Sequence, residues 1–201
     1  MWKKTGVVAL LIAAIAALTL TSVGFGESPS GGSPDAAARI AAGVAEARAQ
    51  VGALRRPRVV ADDAIAPGVA AEPILEGGIV NSSSSRLARS RGRPIWLANS
   101  SDGTSVCQIT TGALACPPVS EIAERGLSPA LVTRAGEPAH VSGIAADSVR
   151  TVDVVFGDGD VQTVTVADNL FALDVSKVPT AVRWIGPNGP ESYEFPPVPG
   201  G

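Results

Sequence analysis

Few side chains in this chain could do chemistry. Among 201 residues there is one histidine, His140, and there are two cysteines, Cys107 and Cys116. A zinc site built from Cys and His needs about four such ligands, so that class of metal chemistry lacks its donors. The two cysteines lie nine residues apart across a predicted hairpin. In an exported chain this reads as a structural disulfide, because such bonds persist outside the cytoplasm, and redox work would favour a Cys-x-x-Cys spacing that does not occur. Asp158 and Asp160 flank Gly159, with Asp153, Asp168 and Asp174 not far in sequence, and hard oxygens of this kind can ligate Ca²⁺. An Asp-Gly pair is also what a tight hairpin turn requires, and EF-hand spacing with its terminal Glu is missing, so turn chemistry is the preferred reading. His140 and Ser142 share one face of a predicted strand and Asp147 follows. A hydrolase needs a nucleophile held by a general base beside an oxyanion hole, and neither Gly-x-Ser-x-Gly nor Ser-x-x-Lys is present. The sequence therefore assigns no catalytic, cofactor-binding or metal-binding residue, and no cofactor.

Charge narrows the field further. Lys and Arg total 16 against 19 Asp and Glu, a net charge of -3. That leaves no general electrostatic footprint for nucleic acid, so a nucleic-acid partner is not expected.

The elements that position these residues fall into three parts. Residues 1–26 begin with Met1-Trp2-Lys3-Lys4 and continue through Gly6 to Phe25 without a charge. This is an export segment, with the lysines kept on the cytoplasmic side and the remainder sent across the membrane. A signal peptide cleaved after Gly24-Phe25-Gly26 and a retained single-pass anchor both fit. The length favours the anchor, since about 20 apolar residues cross about 30 Å of hydrocarbon. The expected location is thus the cell membrane with the C-terminal domain outside, the membrane being a partner through residues 6–25, or else secretion.

Residues 27–93 read as a linker and stalk. Ser33 before Pro34 and Asp35 is a helix start. Ile40, Val44, Ala47, Val51 and Leu54 then recur at steps of four and three, which predicts an Ala-rich amphipathic helix over 36–54. Its stripe is thin, so it packs on the domain or stands as a stalk. The rest, rich in Arg, Pro, Gly and Ser, reads as largely disordered. Nine Arg stand against seven acids in 27–93, while 94–201 carry five bases against twelve acids. A basic tether with an acidic head could lie against an anionic envelope polymer or lipid, although arginines solvating a linker are the simpler account.

Residues 94–201 read as strands. Pro94–Ala98 meets Ser105–Thr110 across Asp102-Gly103, and Gly112 reverses the chain into Ala113–Cys116. A short helix is expected from Val119 to Arg125 with Ser120 as its cap. Arg150–Phe156 pairs with Val161–Val166 across the Gly157–Asp160 turn, Val152, Val154 and Phe156 facing inward. Thr180–Ile185 adds a strand, and Ser192–Phe195 an edge. Seven or eight short strands with regular turns predict a mainly β fold, a small antiparallel β-sandwich or barrel-like, Ig-like domain. Trp96, Phe156, Phe171 and Trp184 are its expected large core residues.

The stretch Gly143–Val149, the Asp158-Gly159 hairpin and the Val166–Phe171 segment with its Asp168-Asn169 pair resemble the C-terminal module of a family of uncharacterised actinobacterial secreted or membrane-anchored proteins. The chain departs from that pattern at Ala146 and Ser148, where Pro and Gly are usual. The resemblance implies a small β-sandwich-like module and no particular chemistry. The functional expectation is a non-enzymatic cell-envelope or secreted protein displaying a β-module for binding or structural interaction, with an envelope polymer or protein as its expected partner. The alternative is a Ca²⁺-dependent or hydrolytic envelope enzyme built on Asp158 and Asp160 or on His140.

Overall fold

Ser33 and Pro34 start a helix as the sequence predicts. In the computed structural model, which describes residues 33–89, 93–134 and 136–197, α1 spans Pro34–Gln50. The Ser33 Oγ accepts the Asp35 N–H at 3.3 Å, and Pro34 sits where no helical N–H is needed. The helix stops at Gln50, and a 3₁₀ turn over Gly52–Leu54 follows. Ile40 stays partly exposed, at 38%, whereas Ala47, Val51 and Leu54 are buried. They join Ile95, Leu97, Val106, Val119 and Ile122 in one apolar cluster, so α1 is docked and does not stand as a free stalk.

The stretch expected to be disordered after residue 55 is instead ordered through residue 89. Three single-turn helices, α2 (Val60–Asp63), α3 (Pro67–Ala70) and α4 (Pro73–Glu76), wrap the chain back, and Pro67 and Pro73 each open their turn. They lead to β1 (Arg86–Arg89), which pairs antiparallel with β2 (Pro94–Asn99), matching Arg86 with Leu97 and Arg89 with Pro94. Then β3 (Val106–Thr110) and β4 (Ala113–Ala115) complete a four-stranded antiparallel sheet in the order β1-β2-β3-β4. This sheet is covered on both faces. Ile95 and Leu97 face the cluster under α1, while Trp96, Ala98, Cys107 and Ile109 face Val69, Ile65 and Leu75 of the wrapping segment. Burial on both sides explains the near-continuous apolar run of β2.

After β4 comes α5 (Val119–Arg125), which begins after Pro118 without the expected Ser120 cap and ends at Gly126 in the left-handed region. Seven strands follow: β5 (Leu127–Val132), β6 (Ala139–Ala145), β7 (Thr151–Phe156), β8 (Val161–Thr165), β9 (Leu170–Val175), β10 (Pro179–Gly186) and β11 (Gly189–Glu194). They form a three-stranded sheet, β5-β6-β9, and a four-stranded sheet, β11-β10-β7-β8, all antiparallel. Val141, Phe171 and Leu127 from the first share a cluster with Val152, Val154, Val182 and Trp184 from the second. All four expected core aromatics, Trp96, Phe156, Phe171 and Trp184, are buried. The Trp184 Nε1–H donates to the Arg125 carbonyl at 2.7 Å, using one of the carbonyls left open at the end of α5.

Two expectations are corrected here. The mainly β, Ig-like sandwich or barrel-like fold gives way to a mixed α/β architecture, 26% helix and 42% strand, with open sheets that do not close on themselves. The helices and the first sheet belong to the same body, because the described residues all fall in one compact unit. The single-pass membrane topology is not supported: among the described residues no helix is long and apolar enough to cross a membrane. No described helix supports the expected membrane partner or cell-membrane location, and the expected export segment, residues 6–25, lies outside the described residues.

Candidate functional site

Cys107 and Cys116 are joined as a disulfide across the β3–β4 hairpin. Cys107 is fully buried, and both cysteines pack with Trp96 and Ile109 against the wrapping segment. The bond lies in the apolar layer beneath residues 65–80, and neither sulfur remains a thiol.

Asp158 and Asp160 sit in the β7–β8 turn, where Gly159 takes φ +86 as the Asp-Gly spacing predicts. Their carboxylates converge on the Lys177 ammonium, with Asp160 at 3.2 Å and Asp158 closer. Hydrogen bonds from Lys177 and from the Asp160 N–H lower the Asp158 pKa, and the bonds of Lys177 to the Asp158 and Asp160 carboxylates raise its own. A cation already stands where Ca²⁺ would need to be. Asp153 instead accepts from Thr163 Oγ1 at 2.6 Å across the hairpin. Among the described residues, no group of three or more His, Cys, Asp or Glu is arranged to hold a metal ion.

The His140, Ser142 and Asp147 set is dispersed. The Ser142 Oγ accepts from Gln108 Nε2 at 2.7 Å, a buried bond between β3 and β6. Asp147 belongs to a clamp between the end of α1 and the β8–β9 turn. Its Oδ1 accepts from the Gly52 N–H at 2.8 Å and from Asn169 Nδ2 at 2.7 Å, and its Oδ2 receives the Arg55 guanidinium. Asn169 also accepts from the Ala53 N–H at 2.7 Å and donates to the Ala145 carbonyl at 2.9 Å. It does so from a left-handed backbone, φ +60, next to Asp168 at φ +50. Asn and Asp are the side chains that best tolerate that region. Burial on its own would raise the Asp147 pKa; the Asn169, Arg55 and Gly52 donors outweigh it and hold it below the ordinary range.

His140 does acquire a carboxylate partner, one that the sequence spacing conceals. The β6–β9 register sets His140 opposite Asp174, and His140 Nδ1 lies 2.8 Å from Asp174 Oδ1. The opposite ring nitrogen, Nε2, is buried with no hydrogen-bond partner. This is the His–Asp half of a nucleophile-activating arrangement without the nucleophile, because among the described residues no hydroxyl or thiol is bonded to Nε2.

A second polar knot escapes sequence reading altogether. The fully buried Asp63 accepts from the Val59 N–H at 2.8 Å, the Leu87 N–H at 2.8 Å and Arg56 at 2.9 Å. Arg86, also buried, donates to the carbonyls of Arg56, Ser84 and Ser85. Burial alone would raise the Asp63 pKa, but the two backbone donors and the Arg56 and Arg86 charges hold it below the ordinary range. Arg56 and Arg86 are therefore structural, and they do not belong to a solvated basic tether.

Set beside known proteins, the chain matches no family model, no curated protein and no solved structure.

Proposed function

We propose that this chain is a secreted, non-enzymatic interaction module, related to the secreted actinobacterial modules that its Gly143–Val149 and Val166–Phe171 segments resemble. The observation that carries the reading is the disulfide, Cys107 to Cys116, set in the apolar layer under the wrapping segment. Such a bond suits an oxidising compartment, since cytosolic thiols are kept reduced. The remaining charged clusters support it. Asp63, Asp147 and the Asp158–Asp160 pair each hold two chain segments together, which spends their charge on the fold. The test is to recover the protein from its own host, divide culture medium from cells, and alkylate under native and denaturing conditions before intact-mass measurement. The expected result is protein in the medium that takes up no alkyl group until it is reduced. Protein confined to the cytosol with two alkylatable thiols after denaturation overturns the reading.

A further inference from the structure

The three sheets of the described residues end in six edge strands. A bare edge is a template for pairing with another chain, and folds blunt it with charge, proline or brevity. Five of these six edges are blunted. β1 has an arginine at each end, β5 carries Pro129, β9 carries Asp174, β11 carries Pro190, Glu191 and Glu194, and β4 has three residues. The sixth, β8, reads Val161-Gln-Thr-Val-Thr165, with no charge, proline or bulge. Its backbone groups can be assigned. The Phe156 N–H bonds the Asp160 carbonyl and the Val166 N–H bonds the Arg150 carbonyl, both at 2.9 Å, so the even-numbered residues of β8 are the ones that bond β7. The N–H and C=O groups of Val161, Thr163 and Thr165 point the other way, and among the described residues no hydrogen bond reaches them. Strand β9 leaves them open. It meets β8 only at the turn, where Ala167 and Leu170 bond each other, and farther along a groove of about 500 Å³ lies between Val161 and Gln162 on one side and Val175, Ser176 and Lys177 on the other.

We propose that β8 is a dimerisation edge, pairing antiparallel with β8 of a second copy of this chain about a two-fold axis at Thr163. The strand is complementary to itself in that arrangement. Thr163 faces its own equivalent, Val161 faces the second copy's Thr165, and Gln162 faces its Val164; a Thr–Thr pair and β-branched neighbours are favourable, and no like charges are opposed within the strand. Charge at the ends favours the same occupant. Asp160, 71% exposed, falls opposite the second copy's Val166, whose neighbour on β7 is Arg150. Arg150 is exposed and has no ion pair among the described residues, and two strand spacings, about 10 Å between backbones, are bridged by an extended arginine reaching an aspartate. The two-fold pairing also closes. It uses up β8 in both copies, and the remaining edges are blunted, so the assembly stops at two.

The pairing goes beyond the secreted interaction module proposed above and does not rest on the compartment, so its failure leaves the disulfide test untouched. Sedimentation velocity of the full chain reads it. A five-residue edge belongs with the weak interfaces below about 1,200 Å², so dimer is expected to grow between about 1 µM and 1 mM protein and to go no further. Thr163→Lys sets two like charges against each other at the axis and is expected to weaken association at least tenfold, while Ser192→Lys, on the opposite edge of the same sheet, leaves it unchanged. Thr163→Cys reads the register. A hydrogen-bonded antiparallel pair holds its Cα atoms about 5.5 Å apart, within disulfide range, so mild oxidation is expected to link two copies through residue 163, whereas Val161→Cys, which faces Thr165, links far less. A chain that stays monomeric throughout overturns the proposal and leaves the edge to an extended segment of another protein. Growth past the dimer, a dimer indifferent to Thr163→Lys, or Val161→Cys linking as readily as Thr163→Cys overturns it as well. If circular dichroism shows Thr163→Lys unfolded, the two cysteine variants decide.

Discussion

Gly43 lies in the middle of α1, where glycine is a poor choice by propensity, and replacing it with alanine tests whether the helix is docked. A Cβ at position 43 would stand 2.3 Å from the Gly103 carbonyl oxygen and 2.9 Å from its carbonyl carbon. That is about 1 Å inside the separation at which non-bonded heavy atoms settle. The partner cannot rotate away, because it is backbone and its turn is pinned. Asp102 Oδ1 accepts from the Thr104 N–H at 3.0 Å, from Thr104 Oγ1 at 2.9 Å and from Ser100 Oγ at 2.6 Å. Gly103 itself takes φ +74, and a Cβ there would meet the Ile40 carbonyl at 2.6 Å. Propensity alone favours Gly43→Ala by about 1 kcal/mol. Overpacking costs about 1–3 kcal/mol, and a rigid backbone partner places this case at the upper end. The expected net loss is about 2 kcal/mol, or roughly 4–8 °C in Tm for a unit of this size. Urea and thermal unfolding followed by circular dichroism measure it, with Ala45→Gly on the exposed face as calibration, expected to lose about 1 kcal/mol. A Gly43→Ala protein as stable as the parent, or more so, refutes the docking of α1 on the β2–β3 turn.

Asn169→Ala removes three side-chain hydrogen bonds, strands the buried Ala53 N–H and puts a Cβ-bearing aliphatic residue at φ +60; the expected loss is about 3–5 kcal/mol by urea unfolding, with Asn169→Gly about 1 kcal/mol milder. Reducing the Cys107–Cys116 bond, which closes a loop with a sequence separation of 9, lowers stability by about 2–3 kcal/mol, read as the difference in urea midpoint with and without reductant. Asp63 and Asp147 both have carboxyls held below the ordinary value of 3.8 in the fold. The unfolded chain therefore binds more protons in that range, and their contribution, complete above 3.8, is lost as pH falls below it. Stability measured against pH is expected to drop on that acid side, with a shallower slope in Asp63→Asn; an unchanged slope contradicts the role given to the Asp63 knot.

How much of this could be read in advance depends on the distance over which each feature is decided. The β7–β8 hairpin was legible because alternating Val152, Val154 and Phe156 and the Gly157–Asp160 turn are local signals, and the register pairs Val152 with Val164 as that alternation demands. The start of α1 was legible for the same reason. The segment from 55 to 89 was not. Its helices are single turns that complete no 3.6-residue period, and its order comes from Asp63 and Arg86, 23 positions apart, satisfying backbone groups of each other's neighbourhoods. Strand β9 follows directly on Asp168 and Asn169, whose left-handed turn carries the chain from one sheet to the other, a crossover no local pattern announces. His140 read as a bystander because its partner, Asp174, is fixed only when β6 and β9 pair.

A strand with water on one side has room for drift, since polar substitutions on that side cost little. Strand β2 has no such side. Heat or denaturant cannot strip residues 59–80 from the sheet without baring Trp96, nor lift α1 without baring Ile95 and Leu97. The outer wrap and the helix thus share one partition wall, and the buried bond from Gln108 to Ser142 ties that wall to the strands behind it. Residues 33–197 are built to melt in a single cooperative step, and a fragment begun at Pro94 would start life with both faces of its first strand uncovered.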